Sequence, residues 1–225
     1  MQVYHIILAK LYDNIIIRHI ALSNHSFLGA RERGVDHTTN NYKEITMAIE
    51  NILIRDEKTA DYKVISELTK IAFETMEISN HTEQFIIEAL RSAKALTISL
   101  VAEVDGQVVG HIAFSPVKMS DDTKDWYGLG PVSVHPDFQR KGIGKALIRE
   151  GLLQLKDLNA RGCCLVGHPQ YYRQFGFENI EGLIHEGIPP EVFFVLSFDK
   201  HIPQGTVAFH EAFRADGQQA ADGEK

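Results

Sequence analysis

The chain reads as an α/β domain: a mixed sheet, antiparallel at its start, with helices on both faces. Three stretches carry that expectation. Residues 96–104 and 107–115 are strand-like runs joined by Asp105-Gly106, the favoured two-residue hairpin turn. Residues 129–134 alternate like a strand and pass through a glycine-containing loop into Ala146, Leu147, Ile148, Leu152, Leu153 and Leu155, which recur at helical spacing. Ahead of the hairpin, Val64, Ile65, Leu68, Ile71 and Ala72, then Phe85, Ile86, Ala89 and Leu90, form the apolar faces of two more helices.

In chain order, residues 1–46 hold apolar runs such as Ile15-Ile16-Ile17, followed by the polar segment GARERGVDHTTNNYKE, which reads as loop or disorder. A regular αβ pattern begins at Met47. The upstream residues are therefore either a translated leader or an appendage that covers an edge or a partner. Residues 52–55 form a short strand. Thr59 is placed to cap the first helix, with Asp61 in its first turn. The second helix starts at 80–82. After the hairpin, the loop VKMSDDTKDWYG leads to strand 129–134, in which Pro131 suits an edge or a strand start better than a central position. Pro136 ends that strand, having no N–H to give and restricting His135. Residues 163–166 form a short buried strand closed by Gly167-His168-Pro169. A short helix at 171–174 ends at Gly176, and 192–198 is a strong strand. Residues 207–213 are a last apolar element, and the polar residues from Arg214 onward read as a fraying tail. The expected organisation is an extension over 1–46, one domain over 47–213 and a tail over 214–225.

The 225 residues, 44% of them apolar, suffice for one sizeable core. Lysine and arginine number 23 against 30 acidic residues, a net charge of −7 that gives no general pull toward nucleic acid or anionic lipid. Cys163 and Cys164 are adjacent, which points to a reducing compartment rather than a disulfide framework. Neighbours on a strand face opposite ways, so the pair does not argue for zinc, and Asp121, Asp122 and Asp125 lack metal-loop spacing. No stretch approaches the roughly 18 apolar residues of a membrane span. The opening MQVYHIILAKLYDNIIIRHIAL is interrupted by Lys10, Asp13, Arg18 and His19, and no small-residue cleavage site follows. A cytoplasmic protein is the expectation.

The run Gln139-Arg140-Lys141-Gly142-Ile143-Gly144 stands immediately before the helix. Chain that passes close to a phosphate needs inward N–H groups and no Cβ in the way. A helix start adds orphan donors and a positive dipole end, and Arg140 and Lys141 add charge. The run reads either as a pyrophosphate cradle or as a glycine-containing turn with solvated basic residues. It is neither a P-loop nor the G-x-G-x-x-G fingerprint.

Preceded by strand 129–134, that run fits the Q/R-x-x-G-x-G/A signature of the GCN5-related N-acetyltransferase superfamily, which the chain resembles over residues 50–213. Tyr172, four residues before Gly176-Phe177, matches that superfamily's tyrosine-helix motif. Pro169, Tyr171-Tyr172, Phe175-Gly176-Phe177 and Gly205-Thr206-Val207 resemble its YhbS-like bacterial branch. The resemblance implies a mostly antiparallel sheet, splayed at a central parallel pair between 129–134 and 163–166. It implies acetyl-CoA as co-substrate, with pantetheine in the gap, bonded to the strand backbone along Val132, Ser133 and Val134. The diphosphate would rest on the N–H groups of Gln139, Arg140, Lys141, Gly142, Ile143 and Gly144, beside Lys145. The Tyr172 hydroxyl would serve the leaving thiolate.

Acetyl transfer from a thioester to an amine needs a neutral nucleophile, a donor for the oxyanion, an acid for the thiolate and a held geometry. A backbone N–H near Val134 suits the oxyanion. Tyr172 suits the thiolate, with Tyr171 as its confounder, since successive helical side chains point about 100° apart. The base has several candidates. His135 and His168 end the two strands that flank the splay, and His111, Glu74, Glu77 or an ordered water remain open. Each histidine also reads as a strand-end residue bonded locally. Residues 73–80, 117–127 and 182–190 should wall the acceptor pocket. Phe73, Trp126, Tyr127 and Phe175 offer aromatic surface there, while Asp121, Asp122, Asp125, Glu181 and Glu186 either attract a cationic amine or are solvated loop charge. The expected function is N-acetylation of an amine on a small molecule or protein, by a monomer or homodimer. The alternative is a CoA-binding sensor without catalysis.

Overall fold

The computed structural model describes residues 52–76 and 79–217. The expectations for residues 1–46, the start at Met47, Glu77 and the tail beyond Gly217 lie outside them.

The elements are β1 (Ile52–Asp56), α1 (Tyr62–Phe73), α2 (Glu83–Ser92), β2 (Ile98–Val104), β3 (Gln107–Pro116), β4 (Lys118–Met119), β5 (Trp126–Val134), α3 (Ile143–Asp157), β6 (Gly162–Val166), α4 (Pro169–Tyr172), β7 (Leu183–His185), β8 (Phe193–Ser197) and β9 (Gly205–Ala208). The main sheet has the order β1-β2-β3-β5-β6-β8. Every pair in it is antiparallel except β5–β6. This is the predicted mixed, mostly antiparallel α/β architecture. The hairpin turns at Asp105 and Gly106, both with positive φ, the conformation that matches the strands' twist.

The parallel pair is short. Trp126, Tyr127 and Gly128 pair with Gly162, Cys163 and Cys164, and there the pairing stops. β5 continues to Val134 against β3, while β6 continues against β8 up to Val166↔Phe193. The sheet is thus splayed where the family resemblance implied the gap. Pro131 corrects one expectation, because it lies in this central strand. Ile112 pairs with Val132 and Phe114 with Leu129, so Gly130 and Pro131 together face Ala113 in a bulge. A residue without an N–H is tolerated at such a position.

Alternation along the strands separates two faces. Leu100, Ala102, Ile112, Phe114 and Cys163 join Leu147, Ile148 and Leu155 of α3 in the main core. Val101 points the other way, to Ile65 of α1 and Ile87 of α2. Cys164 also points away from α3, into a second core with Trp126, Phe193 and Val207. That second core is closed by a small sheet, β4-β9-β7, which local patterning did not predict. Both cysteines are free and buried.

Two helix faces differ from the periodic reading. α1 buries Ile65, Leu68, Thr69 and Ala72 while Ile71 stays 40% exposed, and α2 buries Gln84, Ile87 and Leu90 rather than Phe85 and Ile86. Thr69 turns inward because its hydroxyl finds that of Ser133, 3.1 Å away. Thr59 is not a side-chain cap. The chain enters α1 through a 3₁₀ turn at Thr59–Asp61, where the Asp61 carboxylate accepts from the Lys58 N–H at 2.7 Å and from the Arg55 guanidinium.

α3 presses closely on β3. A Cβ on Gly151 would run into the Phe114 ring. Gly151→Ala should therefore destabilise the domain. The clash costs about 1–3 kcal/mol, against the roughly 1 kcal/mol that alanine gains over glycine in a helix. Urea denaturation reads the difference as a lower midpoint. Among the described residues, no helix is long and apolar enough to cross a membrane.

Candidate functional site

β5 ends in a 3₁₀ turn, Pro136–Phe138. The chain then runs extended at Gln139, takes a positive φ of 61° at Arg140, and reaches Gly142 with φ 88° as the N-cap of α3. The Gln139 side-chain amide donates to the Val134 carbonyl at 3.0 Å, tying the loop back to the strand. α3 has no side-chain cap, and the Ala146 N–H donates to the Gly142 carbonyl at 3.0 Å. The N–H groups of Ile143, Gly144 and Lys145 precede the first helical bond and point out of its end. Ile143 is buried and fixes the helix start, while Arg140, Lys141 and Lys145 are exposed around it.

The two glycines serve different needs. Nothing lies within 4 Å of a Cβ on Gly142, whose requirement is its left-handed backbone. Gly144 sits where space is tight: a Cβ there would lie 3.0 Å from the Tyr171 hydroxyl and 3.7 Å from Val134 Cγ2. Between them runs a cleft of about 260 Å³, lined by Val132, Val134, Phe138, Gln139, Arg140, Gly144 and Tyr171. From Leu129 onward, the edge of β5 that faced β6 has no strand on it. The Ser133 side chain faces α1, so its backbone is what it can offer the cleft.

Tyr171 and Tyr172 meet edge to face at 5.1 Å. Tyr171 is half-buried at the loop end of the cleft and touches Phe175. Tyr172 is 8% exposed and packs against Phe177 and Phe194. Burial, reinforced by Tyr171 and Cys163, pushes its phenol well above the usual range, so it keeps its proton. Its hydroxyl has no hydrogen-bond partner among the described residues.

The histidines expected beside the gap are engaged locally. His135 Nδ1 accepts from the Asp137 N–H and His168 Nδ1 from the Gln170 N–H, each at 3.3 Å, so both cap short helices. Neither ring lines the cleft. His111 is buried under α2, with Nε2 2.8 Å from the Ser99 hydroxyl and 3.6 Å from Glu57. Burial outweighs Glu57 and keeps that imidazole uncharged. Glu74 is exposed beyond the end of α1. Trp126 is a core residue rather than a pocket wall. Asp121 accepts from the Thr123 and Gln204 N–H groups, a structural duty, and Asp122, Asp125, Glu181 and Glu186 are exposed.

One residue escaped the sequence reading although its segment, 182–190, was marked. His185 on β7 stacks on Phe209 at 5.1 Å and meets Phe193 edge-on at 6.2 Å. Burial lowers its pKa, partly offset by Glu186, which favours the neutral ring. Only the long-range pairing of β7 with β9 brings these rings together, and no local spacing encodes it.

Residues 96–179 match the family model described as an acetyltransferase (GNAT) domain. The chain is 34% identical over 128 residues to the uncharacterized N-acetyltransferase YhbS of Escherichia coli (strain K12), covering 56% of this chain and 74% of that protein. It is similar to the crystal structure of a GNAT family acetyltransferase from Brucella melitensis in complex with acetyl-CoA. There the identity is 51%, the coverage 72% of this chain and 97% of that one, and the TM-score 0.65. It is also similar to the structure of YhbS from Escherichia coli in complex with CoA, at 31% identity, 74% and 94% coverage and a TM-score of 0.67. With the signature loop, the splayed parallel pair and these relatives in agreement, the chain belongs to the GCN5-related N-acetyltransferase family, in its YhbS-like branch.

Proposed function

We propose that the protein transfers the acetyl group of acetyl-CoA to an amine, and that residues 47–213 form the catalytic unit. The observation that carries this reading is the coincidence of two features at one place. The parallel strands part after Gly128 and Cys164, and the end of α3, with no side-chain cap, stands at the same side of the gap as the Val132–Val134 edge. The relatives solved with acetyl-CoA and with CoA support the donor.

The residues present fit such a donor. Gly144 keeps open a space that any Cβ would fill, and the first-turn N–H groups of α3 suit a diphosphate. Gln139, Arg140, Lys141, Gly142, Ile143, Gly144 and Lys145 would hold it, the basic side chains by charge alone. The backbone of Val132, Ser133 and Val134 would receive the pantetheine amides. Acetyl-CoA supplies the acyl carbon and a thiol leaving group. Tyr172, held protonated at the inner end of the tyrosine pair, donates to the sulfur as the C–S bond breaks. Tyr171, at the outer end, closes the cleft over Gly144.

Tyr172→Phe should bind CoA as the wild type does and release thiol at least roughly 10²-fold more slowly when an amine is added. Tyr171→Phe should keep most of the rate. Titration calorimetry and a thiol assay read the two quantities separately. A Tyr172→Phe variant with full turnover would remove that role. CoA binding without thiol release on any amine would leave a non-catalytic CoA-binding module.

A further inference from the structure

We infer that His185 takes the proton of the acceptor amine, acting from the face of the sheet opposite α3. This rests on the reading that the thioester lies where β5 and β6 part.

Three contacts fix the imidazole. A Cβ on Gly128 would lie 2.5 Å from the Phe209 ring, so Phe209 covers Gly128 directly. Gly128 and Cys164 are the last rung of the parallel pair. Phe193 pairs with Val166 at the free end of β6. His185 is flat on Phe209 (17° between planes) and edge-on to Phe193. It is therefore held between the last paired rung and the open end of the gap. Phe193 and Phe209 both belong to the core that Cys164 faces, away from α3 and from the cleft beside Gly144. Further along the same face of β5, Thr69 of α1 covers Ser133. An amine that reaches the gap from this face enters between α1 and the His185–Phe209 pair.

The ring has the chemistry the step requires. Nδ1 is sealed from solvent, the ring interacts with the Glu186 backbone, and His185 is only partly exposed, so Nε2 is the nitrogen left to meet a ligand. The same burial favours the neutral ring, which has a lone pair to offer. An imidazolium formed there lies against the π face of Phe209, which stabilises it. His135 and His168, the candidates nearest in sequence to the gap, have Nδ1 committed to capping short helices.

The proton balance closes. The acceptor arrives as an ammonium and gives one proton to Nε2, which passes it to solvent. The free amine attacks, the N–C bond forms and the C–S bond breaks. Tyr172 protonates the thiolate and is restored by the second proton lost from nitrogen. One proton leaves for each acetyl group transferred.

S-bromoacetyl-CoA tests the placement. It carries an electrophilic methylene at the position of the acetyl methyl, and alkylation forms an N–C bond as bromide leaves. Peptide mapping of the intact chain should find a stoichiometric label on His185, blocked by excess CoA and absent in His185→Gln. A CoA-protected label elsewhere, with His185 unmodified, overturns the inference and leaves the CoA reading standing. Absence of both protected label and calorimetric CoA binding overturns the CoA reading itself. The base role is tested with 2-phenylethylamine, 1,5-diaminopentane and the tripeptide Ser-Ala-Ala. With whichever the wild type acetylates fastest, His185→Gln should lose roughly 10²-fold or more in turnover at unchanged CoA affinity. His185→Phe, which preserves the ring stack, should lose as much. Undiminished turnover in either folded variant removes the base, and wild-type inactivity toward all three removes it together with the transferase reading.

Discussion

A Gly144→Val variant should lose CoA affinity by roughly 10²–10⁴-fold while melting within about 3 °C of the wild type. The first Cβ atom already comes within 3.0 Å of the Tyr171 hydroxyl, and the branched side chain adds two methyl groups toward Val134. Tyr171 cannot simply swing aside, because Tyr172 and Phe175 hold its ring at 5.1 and 5.7 Å. The valine therefore fills the cleft and pushes a bound diphosphate off the helix end. Two charge-assisted hydrogen bonds lost at about 1.5–3 kcal/mol each give the quoted range. The fold itself feels little. Position 144 is helical and only partly buried, valine is no worse than glycine in a helix, the Tyr171 hydroxyl need yield only a few tenths of an ångström to the new Cβ, and α3 is anchored by Ile143, Leu147 and Ile148. Calorimetric titration with CoA and a thermal melt check both halves, and wild-type affinity in a folded variant would remove the cradle. Gly142→Val should also abolish binding, for a different reason. No atom lies near its Cβ, but a left-handed backbone disfavours any L side chain by about 1–2 kcal/mol. Relaxing that strain turns the N–H groups of the loop away.

What was legible in the sequence was local. The Asp105-Gly106 turn, the apolar periodicity of α3 and the glycine loop each declare themselves within about fifteen residues, and the hairpin and the site's loop stand where they were placed. Hidden features depend on distant pairings or on polar groups turned inward. β4 and β9 are two and four residues long and join positions 118–119 to 207–208, so no periodicity announces them. Thr69 and Gln84 occupy the buried faces of α1 and α2, where an apolar-only reading chooses their neighbours instead. Simple alternation also fixes one orientation beside the gap. If Val132 and Val134 face the cleft, Ser133 must face α1. His135 and His168 show the reverse problem: both stand before proline at strand ends beside the gap, yet that sequence is also what a capped turn needs.

The same inward polar groups set the other large effect. Under α2, Arg91 donates to both oxygens of Glu57, at 2.9 and 2.7 Å, and lies 3.9 Å over the Tyr62 ring, tying the end of β1 to both helices on that face. Burial alone would raise the Glu57 pKa, but Arg91, with His111 and Ser99, overrides it and holds the carboxyl at about 2. The folded pKa thus lies below the ordinary 4.5, so the stabilisation is fully present above that value and is lost as the pH falls toward 2. Arg91→Ala leaves a largely buried carboxylate without its guanidinium, beside a His111 ring whose charged form burial disfavours. The expected cost is about 3–5 kcal/mol at pH 7. Without the guanidinium, burial dominates and the Glu57 pKa should rise above 4.5, so the sign of the pH dependence reverses. The variant should gain stability between pH 7 and 5 from this group, as its folded state takes up a proton before its unfolded state does. Adding Glu57→Gln to Arg91→Ala should recover a large part of the loss at pH 7, since no buried charge then remains to be neutralised. Urea denaturation of the three proteins at pH 7 and 5 reads each term. A loss below 1 kcal/mol in Arg91→Ala, or an unchanged pH slope, would show that water reaches Glu57 freely and that the helices on this face are held by their apolar contacts alone.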